Sequence, residues 1–368
     1  MADYEIRIQD ASGNTLLALD QWQSLDYART VNNVGALTLR LPPTLALTYF
    51  KRDGRIFVYR SIPNMPPRID LQTYFLITRV QQVLTEQGER YIEIGAMDAM
   101  HLLKRRIVAY AAGSSQAVKS AAADDLMKAI VRENLSSSAT DTSRQLAASL
   151  FSVTANTSQA PTVAKAFSRR TVLDVLRDVA DASATAGTYL AFDVVWNGTG
   201  LEFRTYTKFR GVDHRYPSGT NPVLLSAEAG SLTRASYQVD YTDEVTVAYA
   251  GGQGEGTDRV VASSIDTTRA TLSPFARCES WQDARQNTSS TAVQDEADAA
   301  LRAGRPRITF DCTVNADAPG ALYGRDYGFG DVVTAQAFGQ SVDCRVDGVR
   351  VTVTPDSETV AATLRSVT

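Results

Sequence analysis

Two histidines are the first residues to consider for chemistry, because histidine is the side chain that most often moves protons near neutral pH. The chain has only two, His101 and His214. His214 follows Asp213 in a loop sequence, and an imidazole beside a carboxylate suggests an acid–base pair. Adjacent residues seldom face each other, however, and no serine or cysteine nucleophile motif accompanies this pair. We therefore interpret His214 as a loop contact, and His101, in a short apolar helix, as a packing or capping residue.

Acidic residues offer two further arrangements. Asp193 and Glu202 lie across a predicted hairpin and resemble the carboxylate pair of a glycoside hydrolase, but nothing distinguishes them in a chain with 41 Asp and Glu residues. Asp295, Glu296 and Asp298 could suggest a metal site. They lie on a predicted helix without His or Cys partners, so a solvated acidic face is the better interpretation.

A glycine-rich segment, 251–256, follows a predicted strand and faintly resembles a phosphate-binding loop. It lacks the Gly-Lys-Ser/Thr ending and dinucleotide spacing, and a strand rather than a helix follows it, so we predict a mobile hairpin tip. The basic runs 104–106 and 169–170 are short and are better explained by helix ends than by nucleic acid. We predict no catalytic, cofactor-binding or metal-binding residue, and no cofactor.

Composition and charge narrow the class of protein. The chain has 368 residues, of which 44% are hydrophobic and 21% charged, which is typical of a globular protein of two or three domains. Its net charge of −4 and pI near 5.4 argue against a nucleic-acid-binding surface. No apolar run approaches the length of a membrane span, and the charged N-terminus is not a secretory signal. Three widely spaced cysteines without CxxC spacing predict inert thiols and assembly in a cytoplasm.

The elements that must position these residues are organised around the stretch 71–106. It contains a strand at 74–78, a turn, a second strand at 91–94 and then Asp98 as the predicted N-cap of a short helix. Before this stretch the chain alternates as strands do, and after it two amphipathic helices are predicted, at 120–134 and after Thr171. A Ser/Thr-rich loop, 135–159, separates these helices.

The last part of the chain is β again apart from a helix at 291–303. The sequence therefore predicts a β-rich α+β fold with antiparallel barrel or sandwich units. The predicted division is a first β domain at 1–104, completed by 188–232, a helical insertion at 105–187 and a second β-barrel domain at 233–368. We expect the insertion to lie outside the barrels, with its loop at 135–159 as the most mobile part.

Several short segments, in order along nearly the whole chain, resemble a family of long-tailed phage proteins, the siphovirus baseplate hub or tail-associated proteins. No single motif is diagnostic, and the order of the segments carries the resemblance. The segments are Asn33-Val34-Gly35 with Leu37, Leu39 and Leu41; Asp53–Ile56 with Tyr59 and Arg60; Phe75–Arg79; Asp98 with Leu102, Leu103, Arg105 and Arg106; Ala123–Met127 with Ile130–Asn134; Gly211–Arg215; and Gly330–Val333.

The resemblance implies a structural, non-enzymatic protein of the virion tail tip. Such hubs form trimers in which each subunit contributes two tail-tube-like barrels, so three chains present six tube-like units to a sixfold tube. The implied partners are further copies of the chain, the distal tail protein, the tail tube, the C-terminus of the tape-measure protein, and tip or fibre proteins. DNA is a partner only in transit, for which a mildly acidic lumen is suitable, and no membrane insertion is expected.

Two alternatives from other classes remain at this point. One is a virion-associated cell-wall hydrolase, against which the two-histidine count and the absence of a nucleophile or metal motif speak. The other is a carbohydrate-binding protein for the host surface, supported only by Trp196 and Trp281, which look exposed. Because the sequence closes on the second β unit, we expect receptor binding and wall cleavage to lie on another protein.

Overall fold

The structure is a computed structural model that describes residues 2–19, 21–109, 117–167, 169–286, 289–315, 318 and 320–367. The parts of the predicted units at 1, 20, 110–116, 168, 287–288, 316–317, 319 and 368 lie outside the described residues. The described chain is rich in strands with few helices, so the prediction of a β-rich α+β fold is confirmed.

The N-terminal part folds as eight strands, several of which alternate buried side chains with more exposed ones. They are β1 (Asp3–Gln9), β2 (Thr15–Leu19), β3 (Ser24–Thr30), β4 (Ala36–Leu41), β5 (Arg55–Ser61), β6 (Arg68–Ile69), β7 (Phe75–Leu84) and β8 (Arg90–Asp98). The predicted central hairpin is present as β7 and β8, with Gly88 at positive φ in its turn. Strand β3 was not predicted from the sequence, because the charged Asp26 and Arg29 interrupt its apolar pattern.

The helix that follows the hairpin, α1 (His101–Lys104), is a single turn. Asp98 is not its N-cap as predicted, since Asp98 is the last residue of β8 and Met100 occupies the cap position. The Asp98 carboxylate still accepts a hydrogen bond from the Met100 N–H at 3.1 Å. Its second oxygen has another role, described with the site.

The predicted insertion contains both expected helices, α2 (Ala123–Leu135) and α3 (Val172–Thr185). It also contains strands that were not predicted: β9 (Ala117–Ala122) pairs with β11 (Thr162–Phe167), and β10 (Phe151–Val153) lies inside the segment predicted to be a loop. These strands are short, and β10 is held by a parallel partner about 50 residues away, β13 (Leu201–Tyr206). Local sequence carries no signal for such pairing.

A second core forms where the insertion meets the next two strands. Together β10, β13 and β12 (Ala191–Trp196) form a three-stranded sheet, against which α2 packs, while α3 packs on α2 and β11 in the same core. Phe57 from β5, Leu76 from β7 and Tyr74 just before β7 belong to the same core. The insertion is therefore packed onto the N-terminal strands.

The C-terminal strands continue the N-terminal sheet. They are β14 (Leu224–Ser226), β15 (Leu232–Asp240), β19 (Arg307–Val314), β20 (Val332–Ala337), β21 (Gln340–Thr354) and β22 (Ser357–Ser366). Strand β21 pairs antiparallel with β3, from Gly348 opposite Thr30 to Val353 opposite Leu25. The resulting order is β15-β19-β22-β21-β3-β4-β8-β7-β5-β1-β2, and one hydrophobic core contains residues of both ends of the chain. The predicted division into domains stays a prediction. The pairing of β3 with β21 joins the two segments that this division assigns to different β units.

A small subdomain interrupts the C-terminal strands. Its strands are β16 (Val247–Gly251), β17 (Val261–Ile265) and β18 (Glu279–Asp283), and its helices are α4 (Thr267–Ala270) and α5 (Ser290–Ala303). Helix α5 was predicted nearly to the residue, because Ser289 caps its start and Gly304 its end. It packs on one face of the sheet β17-β16-β18 through Val293 and Ala297. Among the described residues, no helix of the chain has the length and apolar character to cross a membrane.

Candidate functional site

The predicted acid–base pair does not form, because the two side chains have different partners. The Asp213 carboxylate accepts hydrogen bonds from Arg215, at 2.9 Å from Nε and 2.6 Å from Nη2. His214 turns the other way, with Nε2 3.6 Å from Asp331 Oδ2 and Nδ1 in contact with the carbonyl oxygen of Thr220. Its backbone N–H also bonds to the Val332 carbonyl oxygen at 2.8 Å. His214 therefore holds its loop against β20, as the loop-contact interpretation predicts.

Asp331 is a partly buried carboxylate with a structural role. It accepts the backbone N–H groups of Val212 at 2.7 Å and Gly328 at 2.6 Å, and burial raises the pKa of Asp331 above its usual range. A cavity of about 480 Å³ lies beside His214. Its described lining contains no Ser, Thr or Cys, so this imidazole has no such nucleophile to activate there.

Asp193 and Glu202 do not act as a carboxylate pair. Glu202 pairs with Arg204 on its own strand near the surface. The Asp193 carboxylate is buried and receives Arg29 on one side and Arg210, through Nε at 2.6 Å, on the other. Because each carboxylate has its own guanidinium partners, neither is prepared to hold a proton for acid catalysis.

Asp193 belongs to a buried network of four charges, which we call the junction network: Arg29, Asp98, Asp193 and Arg210. Arg29 Nε bonds to Asp98 Oδ2 at 2.7 Å, and its Nη2 bonds to Asp193. The network joins β3 and β8 of the N-terminal part to β12 and to the segment before β14. It also reaches the C-terminal part, since Arg210 Nη1 donates to the Phe329 carbonyl oxygen at 2.9 Å.

The two carboxylates of the junction network respond differently to burial. Burial acts to raise the pKa of both, but Arg29 and Arg210 together hold the pKa of Asp193 below its usual value. Burial raises the pKa of Asp98, since Arg29 is its one cationic partner among the described residues and the charge of Asp193 adds to the rise. The network fixes the three regions relative to one another through its paired charges.

A second buried cluster, the terminal network, joins the first and last strands. Glu358 on β22 accepts Arg60 Nη2 at 2.7 Å, the Tyr4 hydroxyl at 2.6 Å and the Ala2 N–H at 2.8 Å. Arg60 Nη1 also donates to the Tyr323 carbonyl oxygen at 2.8 Å. Burial acts to raise the pKa of Glu358, but Arg60 and the Tyr4 hydroxyl more than offset this and lower it.

The remaining sequence candidates are also structural. The segment 251–256 lies in the β16–β17 hairpin, where Arg259 bonds to the carbonyl oxygens of Gly251 and Gly252. Asp298 on α5 accepts the Gln294 amide at 3.0 Å, and the described residues contain no group of His, Cys, Asp and Glu that could hold a metal ion. Arg170 pairs with Asp178 on α3.

His101 is partly buried on α1. Burial, together with Arg105 and Lys104, lowers the pKa of His101, which favours a neutral imidazole in a packing position.

The structure brings together an exposed apolar surface that the sequence did not predict. Strand pairing places Val261, Ile265 and Trp281 on one face of the sheet β17-β16-β18, opposite α5, and each is about half exposed, at 55%, 48% and 52%. In the neighbouring loop between α4 and β18, Leu272 and Phe275 are 76% and 90% exposed. We call these five residues the open face. Exposed apolar patches of this kind mark interaction surfaces.

The two tryptophans that looked exposed differ. Trp196 is partly buried against Phe57 and Tyr74, with ring centroids 5.4 and 5.6 Å away, so it is a core residue. Trp281 is exposed on the open face, but Arg259 lies over its ring at 5.1 Å. A sugar stacking on that side of Trp281 would have to displace this guanidinium.

Comparisons with solved structures find the same fold in prophage tail proteins. The chain superposes on the 43 kDa tail protein of prophage MuSo2 from Shewanella oneidensis with a TM-score of 0.63 at 11% identity, covering 99% of this chain and 98% of that one. It superposes on the prophage tail protein gp18 from Listeria monocytogenes EGD-e with a TM-score of 0.59 at 12% identity, covering 98% and 94%. For the tail protein from Neisseria meningitidis MC58 the TM-score is 0.58 at 13% identity, with 99% and 96% covered.

The fold is therefore that of prophage tail proteins over the whole chain. The family described as Siphovirus ReqiPepy6 Gp37-like protein matches residues 5–364, and the chain belongs to this family. The predicted resemblance to a long-tailed phage family is confirmed, and family and fold together indicate the virion tail as its location. Among curated proteins, none matches the chain significantly in sequence.

Proposed function

We propose that the chain is a structural, non-enzymatic baseplate hub at the distal end of a siphovirus tail. The observation that carries the proposal is a fold shared along the whole chain with prophage tail proteins, in a member of a siphovirus family. The two buried networks support it, because they use their charges to fix one region against another. Transmitting load between tube and tip requires such rigidity.

We further propose that three copies form a closed ring. One chain contains two β regions, 1–104 with 188–232 and 233–368, so three chains present six β units to a sixfold tube. The open face supports the proposal, since apolar side chains at this exposure are suited to burial against a neighbouring subunit. In this ring, strands that face the lumen carry small polar or acidic side chains, because DNA phosphates bind basic walls.

The proposed neighbours follow from this position. The upper side of the ring contacts the tail tube and the distal tail protein, and the lower side contacts tip or fibre proteins. The C-terminus of the tape-measure protein ends at the lumen, through which DNA passes in transit. The helical insertion, 105–187, lies on the outside of the ring.

An electron-microscopy reconstruction of the isolated tail tip tests the proposal. We expect three copies per ring, with the two β regions of each chain related by a rotation near 60° about the tail axis. Six copies per ring, β regions without this relation, or a channel lined by arginines would each contradict it. A zymogram on host cell walls and a glycan array, both expected to be negative, test the hydrolase and carbohydrate-binding alternatives.

A further inference from the structure

A groove with an apolar floor lies between the N-terminal strands and the insertion. Its volume is about 580 Å³, which is the size of pockets that accept several large side chains. Leu76 and Tyr74 contribute the floor from one side, and Leu146, Leu150 and Phe151 from the other. Leu150 is 43% exposed although it is apolar, so part of this floor is open to water.

The rim of the groove is strongly cationic. Arg52, Arg105, Arg106 and the buried Arg55 line it, and Asp53 is the one acidic residue among its described lining residues, which leaves an excess of three positive charges. Asp53 is shared, with Oδ1 2.6 Å from Arg105 Nη1 and Oδ2 3.5 Å from Arg52 Nε. Arg55 donates to the Ala11 carbonyl oxygen. Within the described part of the chain, Arg106 has no ion pair.

Neighbouring groups extend the positive field beyond the rim. Burial lowers the pKa of Arg144, and the charge of Arg106 contributes to the same shift. Lys104 lies on α1 beside Arg105, and the charges of both contribute to lowering the pKa of His101. This concentration of cations stands out in a chain whose net charge is −4. An apolar floor inside an undercompensated arginine rim is complementary to a partner that is both apolar and acidic.

We propose that this groove binds an acidic peptide segment of another protein, which places leucine- or phenylalanine-like side chains on the floor while its Asp and Glu carboxylates pair with the arginines. Guanidinium groups bind carboxylates through two parallel hydrogen bonds, which gives such an interface direction as well as charge. Nucleic acid fits less well, because phosphates and sugars would leave the leucine floor uncovered. The inference holds whether or not the chain forms a ring of three.

A random library of 12-residue peptides, displayed on yeast and screened against the whole chain, tests the proposal without assuming a partner. The counter-screen uses the double variant Arg52→Glu, Arg106→Glu. Arg52 is 86% exposed in its side chain, so its substitution leaves folding intact. We expect the peptides that distinguish the two proteins to be enriched in Asp and Glu together with Leu and Phe.

The selected peptides are then measured by fluorescence anisotropy. Affinity should fall at least tenfold in the double variant and in Leu150→Asp, and should weaken as salt rises, because exposed charges are screened. The matched control Arg234→Glu removes an exposed arginine on β15 and should bind like the wild type.

Three results would overturn the proposal. The first is that no peptide distinguishes the proteins, or that the distinguishing peptides lack acidic residues. The second is that oleate or anionic-lipid vesicles displace the peptides while being retained by the same arginines, which would assign the groove to lipid. The third is that affinity rises when residues 110–116 are replaced by a Gly–Ser linker, which would assign the groove to the chain's own segment.

Discussion

Arg29 lies on β3 at a position where alternation requires an inward side chain, following Leu25 and Tyr27. Its side chain is 2% exposed. The guanidinium forms ion pairs with the carboxylates of Asp98 and Asp193, which come from different parts of the chain. A charge buried this deeply is costly unless it is paired, so the three residues form a unit whose members depend on one another. Gly35 closes the site, since a Cβ there would lie 2.9 Å from Asp98 Oδ2.

Substituting Asp193 should therefore be far more damaging than substituting Glu202. Asp193→Asn leaves Arg210 without its carboxylate and Arg29 with only one, and we expect a loss of about 3–5 kcal/mol in the free energy of unfolding. Glu202→Gln breaks a surface pair with Arg204 and should cost no more than about 1 kcal/mol. Urea denaturation of both variants measures the difference, and equal losses would contradict the role given to the junction network.

The terminal network predicts a dependence on pH. The pKa of Glu358 is lowered in the folded protein, so its charge stabilises the fold above the unfolded value of about 4.3, and this contribution is lost as pH falls through the folded pKa. Glu358→Gln should lower the free energy of unfolding near neutral pH by several kcal/mol, with the gap to wild type narrowing below about pH 4.3. A gap independent of pH between 3 and 7 would argue against the charged carboxylate as the cause.

At the scale of elements, strands with a local signal were predictable and strands defined by distant partners were not. The hairpin of β7 and β8 and helix α5 carry their own turn and cap residues, so sequence alone placed them. Strand β10 is defined by its pairing with β13, and the buried Arg29 interrupts the apolar pattern of β3. For the same reason the sequence indicates Asp193 but not its partners, although Leu25, Tyr27 and Arg29 at every second position are a usable signal.

Residues 344–346 and 348–353 lie on the single strand β21, on the two sides of Asp347. The pairing of β21 with β22 shifts register between Val346 and Gly348, so Asp347 forms a β-bulge. Burial raises the pKa of Asp347, which lies 3.1 Å from Arg365. The bulge falls where β21 passes from β20 to β3, so it joins the two β regions.

Helix α5 holds its sheet through a very small core, and this predicts local unfolding. Ala297→Asp would bury an unpaired carboxylate against Ala250. The free-energy cost of burying that charge exceeds the stabilisation that the small core of Ala250, Val293 and Ala297 supplies. We expect fast hydrogen exchange throughout 247–303, with protection retained in β21 and β22. The exposed control Glu296→Asp on the same helix should exchange like wild type, and loss of protection in β21 would mean that the subdomain is not a separate unit.

At the scale of the whole molecule, one core spans the two ends of the chain. Tyr27 and Leu39 from the N-terminal strands share it with Val351 and Leu364 from the C-terminal ones. A fragment of residues 1–106 loses β21, one of the two partners of β3, about half of this core and the helices of the second core, so it should not fold. Circular dichroism on heating tests this, with a featureless melt expected. A cooperative transition in the fragment would show that the N-terminal region is stable alone.

The open face makes a prediction about assembly that separates it from stability. Ile265 and Trp281 are half exposed in the single chain, so replacing both with aspartate removes little packing and should change the midpoint of thermal unfolding by no more than a few degrees. In an assembled ring the same charges would be buried against a neighbour without partners, at a cost of several kcal/mol for each contact. The double variant should therefore remain folded but fail to form trimers in sedimentation velocity and fail to enter tails when it replaces the wild-type protein during phage growth.

Leu84→Asp is the matched control, because Leu84 is 64% exposed on β7, outside the open face. Normal assembly of the double variant would remove the open face from the proposed interface, whereas failure of both variants would show that assembly responds to added charge anywhere on the surface.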